Sequence, residues 1–388
     1  MHINIFNKTI IMSKIRLSIF GASLLLIIAA CGVMKVKNKD TAVLKDALED
    51  NFHIGTALNL NHIQGRDTDG LEIVKKHFSA IVAENCMKSM YLQPQEGVFF
   101  FDDADKFVEF GEQNDLFITG HALIWHSQAP SWLFIDENGD DVSADVLKER
   151  MKKHIHTVVS RYKGRIKGWD VVNEGIEDNG EYRKSKFFQI LGEDFIPLAF
   201  QYAQEADPDV ELYYNDYNEW HQGKRDAIVK LVKSLKERNI RIDAVGMQGH
   251  VDMNSPTLNE YQAAIDAYTD AGVEVMVTEF EMSALPLPRR NVGANIASTE
   301  SYRLEMNPYV DGLPESIRIK WENRMMEYFN LFINNSDKIK RITLWGVTDG
   351  DSWKNNFPMR GRTDYPLLFD REYNAKGIVQ KITNIHKL

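Results

Sequence analysis

The chain has 388 residues, with 46 Lys+Arg against 56 Asp+Glu and a formal net charge of −10. That balance argues against nucleic acid as a partner, because phosphate neutralisation needs a basic surface. At 44% hydrophobic, 26% charged and 11% aromatic residues, the composition is globular and excludes collagen-like, disordered and multi-spanning membrane classes.

At the amino terminus Lys8, Lys14 and Arg16 precede an apolar run from Leu17 to Ile28, which meets Ala29-Ala30-Cys31-Gly32. The run is short of the roughly 20 residues a spanning helix needs, and small residues at its end suit a signal peptidase. The Ile-Ala-Ala-Cys junction resembles the bacterial lipobox, which implies cleavage before Cys31 and lipidation of its sulfur. Residues 1–30 are therefore expected to be a lipoprotein signal peptide, 31–43 a lipidated tether and 44–388 one catalytic domain. The expected location is an exported, membrane-anchored lipoprotein on the periplasmic or cell-surface face, touching the membrane through its lipid only. An ordinary secretory signal or an uncleaved anchor is the alternative. Cys86, the second of two cysteines, reads as a small buried hydrophobe, and the unlike settings of the pair exclude a disulfide framework or a Cys-based metal site.

Beyond the tether, short β-like runs alternate with helix-length amphipathic stretches. Strands are predicted over Phe52 to Leu58, Ala80 to Glu84, Phe117 to Leu123, Ile166 to Val172, Glu211 to Asn215, Ala244 to Gln248, Glu274 to Glu279 and Arg341 to Gly346. Helices are predicted over Asp103 to Asn114, Ala144 to Tyr162, Lys186 to Ala206, Arg225 to Asn239, Leu258 to Ala271 and Glu315 to Ile333. Many of the strands are almost continuously apolar, as parallel strands buried on both faces should be. An α/β fold with a single closed (β/α)8 TIM barrel fits best. A doubly wound open sheet is the alternative, but no Gly-rich phosphate turn follows the first strand. The longest irregular stretch, Met282 to about Pro314, follows the seventh strand, where a long loop would overhang the active face.

Glu174 ends the fourth run and Glu279 the seventh. In a barrel both project at the carboxyl-terminal rim, so two carboxyl groups can converge on one small volume. Paired carboxylates suit glycosidic cleavage: one is protonated to assist the leaving oxygen, the other ionised to attack, and a separation of about 5 Å would mean retention. Keeping Glu174 protonated needs desolvation or a nearby negative charge, and ionised Glu279 is the expected source of that charge. Polar and aromatic residues crowd the other strand ends: Glu84, Asn85 and Lys88; His121, Trp125, His126 and Gln128; Asn215 to Asn218; Gln248 and His250; Trp345 and Trp353. Hydroxyl-rich sugars call for such amides, charges and rings, whereas phosphates call for Gly-rich turns or Arg clusters. A metal triad of His121, His126 and Glu84 competes, but no His-x-x-x-His or His-Glu-x-x-His motif is present.

The strings Glu84-Asn-Cys-Met-Lys88, Gly120-His-Ala-Leu-Ile-Trp-His-Ser-Gln-Ala-Pro-Ser-Trp132, Trp169-Asp-Val-Val-Asn-Glu174, Asn215-Asp-Tyr-Asn218, Gly246-Met-Gln-Gly-His250, Thr278-Glu279 and Leu344-Trp-Gly-Val-Thr-Asp-Gly-Asp-Ser-Trp353 resemble glycoside hydrolase family 10 in order and spacing. The resemblance runs from about Phe52 to the carboxyl terminus and implies an endo-β-1,4-xylanase acting on xylan or xylo-oligosaccharides, with no cofactor and no metal. It implies Glu174 as general acid/base and Glu279 as nucleophile of a retaining double displacement. Asn173 is then expected at the sugar 2-hydroxyl, and Gln248 and His250 beside Glu279. Glu84, Asn85, Lys88, His121, Trp125, Gln128, Trp345 and Trp353 are expected to line glycone subsites, with Tyr217 or Asn218 reaching the aglycone side. Trp132 and Trp169 read as wall or core aromatics, and Asp170 as the buried partner of a polar neighbour.

Two positions depart from the family pattern. Glu281 stands where the family usually has Asp, so the hydrogen bond expected to orient His250 is altered and a shifted pH profile is expected. Ser89-Met90 replaces the tryptophan often found after Lys88. Two other readings share these residues: a retaining β-1,4-glucanase, which needs room for a hydroxymethyl group on each sugar, and a non-catalytic glycan-binding lipoprotein, which has no use for a matched acid and nucleophile.

Overall fold

The computed structural model describes residues 43–286, 301 and 303–385. Eight parallel strands, His53–Leu58, Ala80–Ala83, Phe117–Trp125, Gly168–Asn173, Glu211–Asp216, Ala244–Met247, Glu274–Ser283 and Ile339–Leu344, follow one another around a ring. The last pairs with the first, in the register His53↔Arg341, and the sixth pairs with the seventh, Ala244↔Glu274, so the sheet closes. A helix follows each strand: Thr68–His77, Asp102–Gln113, Ala144–Arg161, Phe195–Ala206, Gln222–Glu237, Leu258–Asp270, Glu315–Ile333 and Gly377–Thr383. This is the (β/α)8 barrel expected from the alternation, and it leaves the carboxyl ends of all eight strands on one rim.

Burial explains the strand sequences. The second strand, Ala-Ile-Val-Ala, and the fourth, Gly-Trp-Asp-Val-Val-Asn, are buried at every position, one side in the barrel and the other under helices. Helix starts are set by side chains: Ser143 accepts from the Val146 amide, and Thr257 and Glu260 form a reciprocal capping box. The barrel interior is filled rather than open. Near its amino-terminal end the Arg341 guanidinium lies 5.0 Å from the Phe117 ring centroid and 5.3 Å from that of Tyr213.

Three expectations need adjustment. The helix read over Lys186 to Ala206 is two, Lys186–Leu191 and Phe195–Ala206, because Gly192 takes a φ of +62°, which a helix cannot continue through. The seventh strand runs past Glu279 to Ser283, because a short strand, His250–Asp252, pairs with its far end in the register His250↔Glu281. The stretch expected to be irregular from Met282 thus begins as strand, and its residues 287–300 lie outside the described residues. Outside them too lie the expected signal peptide, Cys31 and the expected tether up to residue 42. Among the described residues no helix is long and apolar enough to cross a membrane. Cys86 is buried, and burial pushes its thiol up to about 12, so it packs as a small hydrophobe.

Close packing at the barrel floor makes one substitution diagnostic. A Cβ added at Gly168 would stand 2.0 Å from the Tyr213 hydroxyl oxygen. Gly168→Ala is expected to lower the unfolding free energy by about 1–3 kcal/mol, the usual cost of overpacking, in equilibrium denaturant unfolding; an unchanged midpoint would contradict the packing described.

Candidate active site

The rim formed by the carboxyl ends of the strands carries a cleft lined by Glu84, Asn85, Lys88, His121, Trp125, Gln128, Asn173, Glu174, Gln248, His250, Glu279, Trp345 and Trp353. A larger hollow, about 590 Å³, opens at the opposite face near Lys45, His53, Glu211 and Arg341, but the carboxylates around it are exposed or half-buried. Only desolvated acids acquire the split protonation states that acid–base chemistry needs, so the rim cleft is the candidate.

Glu174 and Glu279 are each 5% exposed. They are joined through amides rather than directly. Asn215 Nδ2 donates to Glu279 Oε1 and to Asn173 Oδ1, both at 2.9 Å. Gln248 Nε2 donates to Asn173 Oδ1 at 3.1 Å and to Glu174 Oε1 at 3.2 Å. Thr278 Oγ1 donates to Asn215 Oδ1 at 2.6 Å and so fixes which end of that amide faces the carboxylate. The strand register Asn173↔Asn215 sets these residues side by side.

The two carboxyls are shifted in opposite directions. Burial raises the pKa of Glu174; the negative charge of Asp216 adds to it, Trp125 and Arg183 oppose it, and Glu279 contributes last. Burial, one of the two causes expected, comes first, and the charge expected from Glu279 is outranked by that of Asp216. Burial also pushes Glu279 up, but the His250 hydrogen bond and the charges of His121, His250 and Lys88 outweigh it, and its pKa is lowered. One acid is thus shifted toward its neutral form and its neighbour toward its ionised form.

His250 carries much of that difference. Its Nε2 lies 3.2 Å from Glu279 Oε2 and its Nδ1 2.8 Å from Glu281 Oε1. Burial lowers its pKa, but the two carboxylates raise it further, to about 9. The extra methylene of Glu281, expected to disturb this contact, leaves it closed. Glu281 is fully buried and is held from behind by Trp353 Nε1 at 2.5 Å and Ser352 Oγ at 3.1 Å.

Lys88 donates to Asn85 Oδ1 at 3.0 Å and stands 4.5 Å from the centroid of the Trp125 ring. Burial lowers it to about 8 against the pull of Glu279, Glu84 and Glu174. His121 is held through Nδ1 by Asp170 Oδ2 at 2.8 Å, the partner role expected of Asp170, and its ring meets Trp345 edge-on at 5.2 Å. Gln128 donates to the Tyr91 hydroxyl at 3.2 Å.

Tyr217 and Asn218, expected on the aglycone side, are not among the residues lining this cleft; Asn218 Nδ2 donates to Asp178 Oδ2 at 3.0 Å, and Tyr217 turns elsewhere. It is buried outside the cleft, its hydroxyl accepting from Arg183 Nη2 at 2.8 Å and its ring lying under Lys224 Nζ at 3.9 Å. The proposed metal triad does not assemble either. Among the described residues His62, Asp67 and Asp351 are the one group spaced to hold a cation. His62 Nδ1 accepts the Asn59 amide at 3.2 Å, so Nε2 carries the ring proton, the wrong tautomer for a ligand at that nitrogen. Arg183 was not singled out from sequence; Asn215, Asp216 and Glu281 were noted there, but without the partners that the structure gives them.

The sequence pattern of glycosyl hydrolase family 10 matches residues 43–385. The chain is 47% identical over 344 residues to endo-1,4-β-xylanase A of Xylanibacter ruminicola, covering 89% of this chain and 93% of that one. It is 39% identical over 349 residues to an endo-1,4-β-xylanase of Geobacillus stearothermophilus, covering 88% and 98%. In structure it is similar to a GH10 endoxylanase from a sugarcane soil metagenome, with a TM-score of 0.84 and 41% identity over 88% of this chain and 99% of that one.

The charge arrangement around His250 can be read without substrate. An NMR titration of its ring is expected to give a midpoint near 9, and Glu281→Gln to lower that midpoint by about one unit or more. Because the folded value lies above the unfolded one of about 6.5, this contact stabilises the fold fully below pH ~6.5 and ceases to do so as pH rises through ~9. A midpoint unmoved by Glu281→Gln would refute the pairing.

Proposed function

This chain belongs to glycosyl hydrolase family 10, and we propose that it is an endo-1,4-β-xylanase cutting internal bonds of xylan by a retaining double displacement. The observation that carries the reading is the pair of buried carboxyls in one cleft, Glu174 shifted up and Glu279 shifted down. The similar xylanases give the substrate class.

In the first step the Glu279 carboxylate attacks the anomeric carbon while Glu174 gives its proton to the departing glycosidic oxygen. The bond to the leaving sugar breaks as the glycosyl ester forms. In the second step Glu174, now a carboxylate, takes a proton from water, whose oxygen displaces Glu279 from the same carbon. Two inversions give retention. Esterification removes the Glu279 charge and so lowers the Glu174 pKa for its second task, by a modest amount because burial and Asp216 bear more on it. Asn215 and His250 hold the attacking oxygens before reaction, so little reorganisation is needed as charge moves. Asn173 faces the place of the sugar 2-hydroxyl. Glu84, Asn85, Lys88, Gln128, Trp345 and Trp353 supply the polar and aromatic contacts of the flanking subsites. We further propose that Cys31 carries a lipid that tethers the exported enzyme, a reading supported by the amino-terminal pattern of charges, apolar run and small residues.

Incubation of the form lacking residues 1–31 with linear xylan and with soluble β-1,4-glucan, following reducing ends and product sizes, tests the activity. Rapid internal cleavage of xylan is expected, with Glu279→Ala reducing it at least 10⁴-fold, on the order of what loss of a nucleophile costs. Preference for glucan would favour a glucanase, and binding without cleavage a glycan-binding protein. Glu174→Ala is expected to slow xylan far more than an aryl xylobioside with a good leaving group; equal loss on both would contradict its role as acid.

A further inference from the structure

We propose that Asp216, the last residue of the fifth barrel strand, is a positioning residue for Glu174, fixing the backbone that follows it and placing a negative charge behind it. The inference rests on the role given above to Glu174.

Glu174 has a φ of +59°, in the left-handed region that residues with a Cβ rarely enter. Such a conformation persists only where its surroundings over-determine it. The backbone here is held at every polar atom that would otherwise relax. Glu174 N donates to Asn215 O at 2.8 Å, and its carbonyl accepts from Arg183 Nε at 2.8 Å. The Gly175 carbonyl accepts from Arg183 N at 2.9 Å. The two remaining amides lead to Asp216. Ile176 N donates to Asp216 Oδ2 at 3.3 Å, and Gly175 N donates to the Tyr214 hydroxyl at 3.0 Å, which in turn donates to the same Oδ2 at 2.6 Å. Remove that carboxylate and the two amides after Glu174 lose their common anchor.

The second oxygen of Asp216 faces the other way. Oδ1 accepts from Tyr217 N and from Lys224 Nζ, each at 2.9 Å. Lys224 is fully buried and also pairs with Asp178 Oδ1 at 3.1 Å. The cation that pairs with Asp216 therefore meets the oxygen other than the one bonded to the backbone after Glu174. The other groups that bear on Asp216 are Arg183, Glu219, Tyr214, Tyr217 and Tyr268; those that bear on Glu174 are Arg183, Trp125, Tyr217, Lys88 and Glu279. Arg183 opposes the effect but is committed to the Glu174 carbonyl, the Tyr217 hydroxyl and Glu177.

Two variants separate the two parts of this role. The pH profile of kcat/KM on a xylo-oligosaccharide is compared for wild type, Asp216→Asn and Tyr214→Phe, with carboxyl ¹³C NMR titration of Glu174, assigned by its loss in Glu174→Gln. Asp216→Asn removes the charge, so the alkaline limb and the Glu174 midpoint are expected to move down by about one unit. Tyr214→Phe keeps the charge and breaks the link to Gly175, so the limb should stay while kcat falls roughly tenfold, the effect of a small misplacement of the acid. An Asp216→Asn limb and midpoint coincident with wild type, whatever the loss in stability, overturn the electrostatic role, and a Tyr214→Phe kcat equal to wild type overturns the anchoring role. If Asp216→Asn does not fold, Lys224→Gln replaces it: a raised Glu174 midpoint is expected, and an unmoved or lowered one overturns the proposal. Wild type inactive on every xylo-oligosaccharide would sink the xylanase reading, while the NMR midpoint would still decide the role of Asp216.

Discussion

Desolvation of carboxyl groups is the constraint on which the rest of this site depends. Glu174 and Glu279 are each 5% exposed, and burial by itself favours the neutral form of both. Which way each is finally shifted is settled by the cations and donors within reach. Glu279 has His250 at hydrogen-bonding distance and His121 and Lys88 nearby, and it is held low. Glu174 receives two weak amide contacts, from Gln248 and Asn173, at 3.2 and 3.3 Å, and it is held high. One barrel end thus shifts two chemically identical side chains in opposite directions.

That separation needs rigidity, and the parallel barrel supplies it. Asn173, Asn215 and Gln248 come from or adjoin three successive strands, and their registers, Asn173↔Asn215 and Asn215↔Gly246, bring the amides to one level. Each amide is oriented by its neighbour, and the chain of donors ends on Thr278, one residue before Glu279 on the seventh strand. A loop could not hold four such side chains within a few tenths of an ångström; strand ends tied into a closed sheet can.

The strands were legible because buried parallel strands write themselves as apolar runs, and Glu174 and Glu279 were legible because they end two such runs. Boundaries agree within two residues, except where tertiary pairing extends the seventh strand to Ser283. What escaped was decided by contacts between distant segments. Nothing in Asn215-Asp-Tyr-Asn218 says where each side chain turns: Asn215 to Glu279, Asp216 to Lys224 and the backbone after Glu174, and Tyr217 to Arg183. Glu281 was noticed as a departure, but its reach to His250 depends on the three-residue strand that pairs His250 with it.

A second buried carboxylate can push its neighbour either way, depending on where its counter-ion stands, and Glu281 and Asp216 illustrate the two arrangements. Behind Glu279 the order is carboxylate, imidazolium, carboxylate: Glu281 keeps His250 charged, and His250 faces Glu279. The cation is interposed, so the outer acid favours ionisation of the inner one. Behind Glu174 the order is reversed. Lys224 contacts the far oxygen of Asp216, and the near oxygen points at the backbone after Glu174 through Ile176 N and Tyr214. Here the anion is interposed, so the same type of residue, equally buried and equally paired, favours the protonated form. Swapping a cation from one side of a carboxylate to the other is a change of a few ångströms in position and none in composition. That is why a tally of charged residues along the rim does not tell which glutamate is shifted up and which down, whereas the order of charges along each line bears on it.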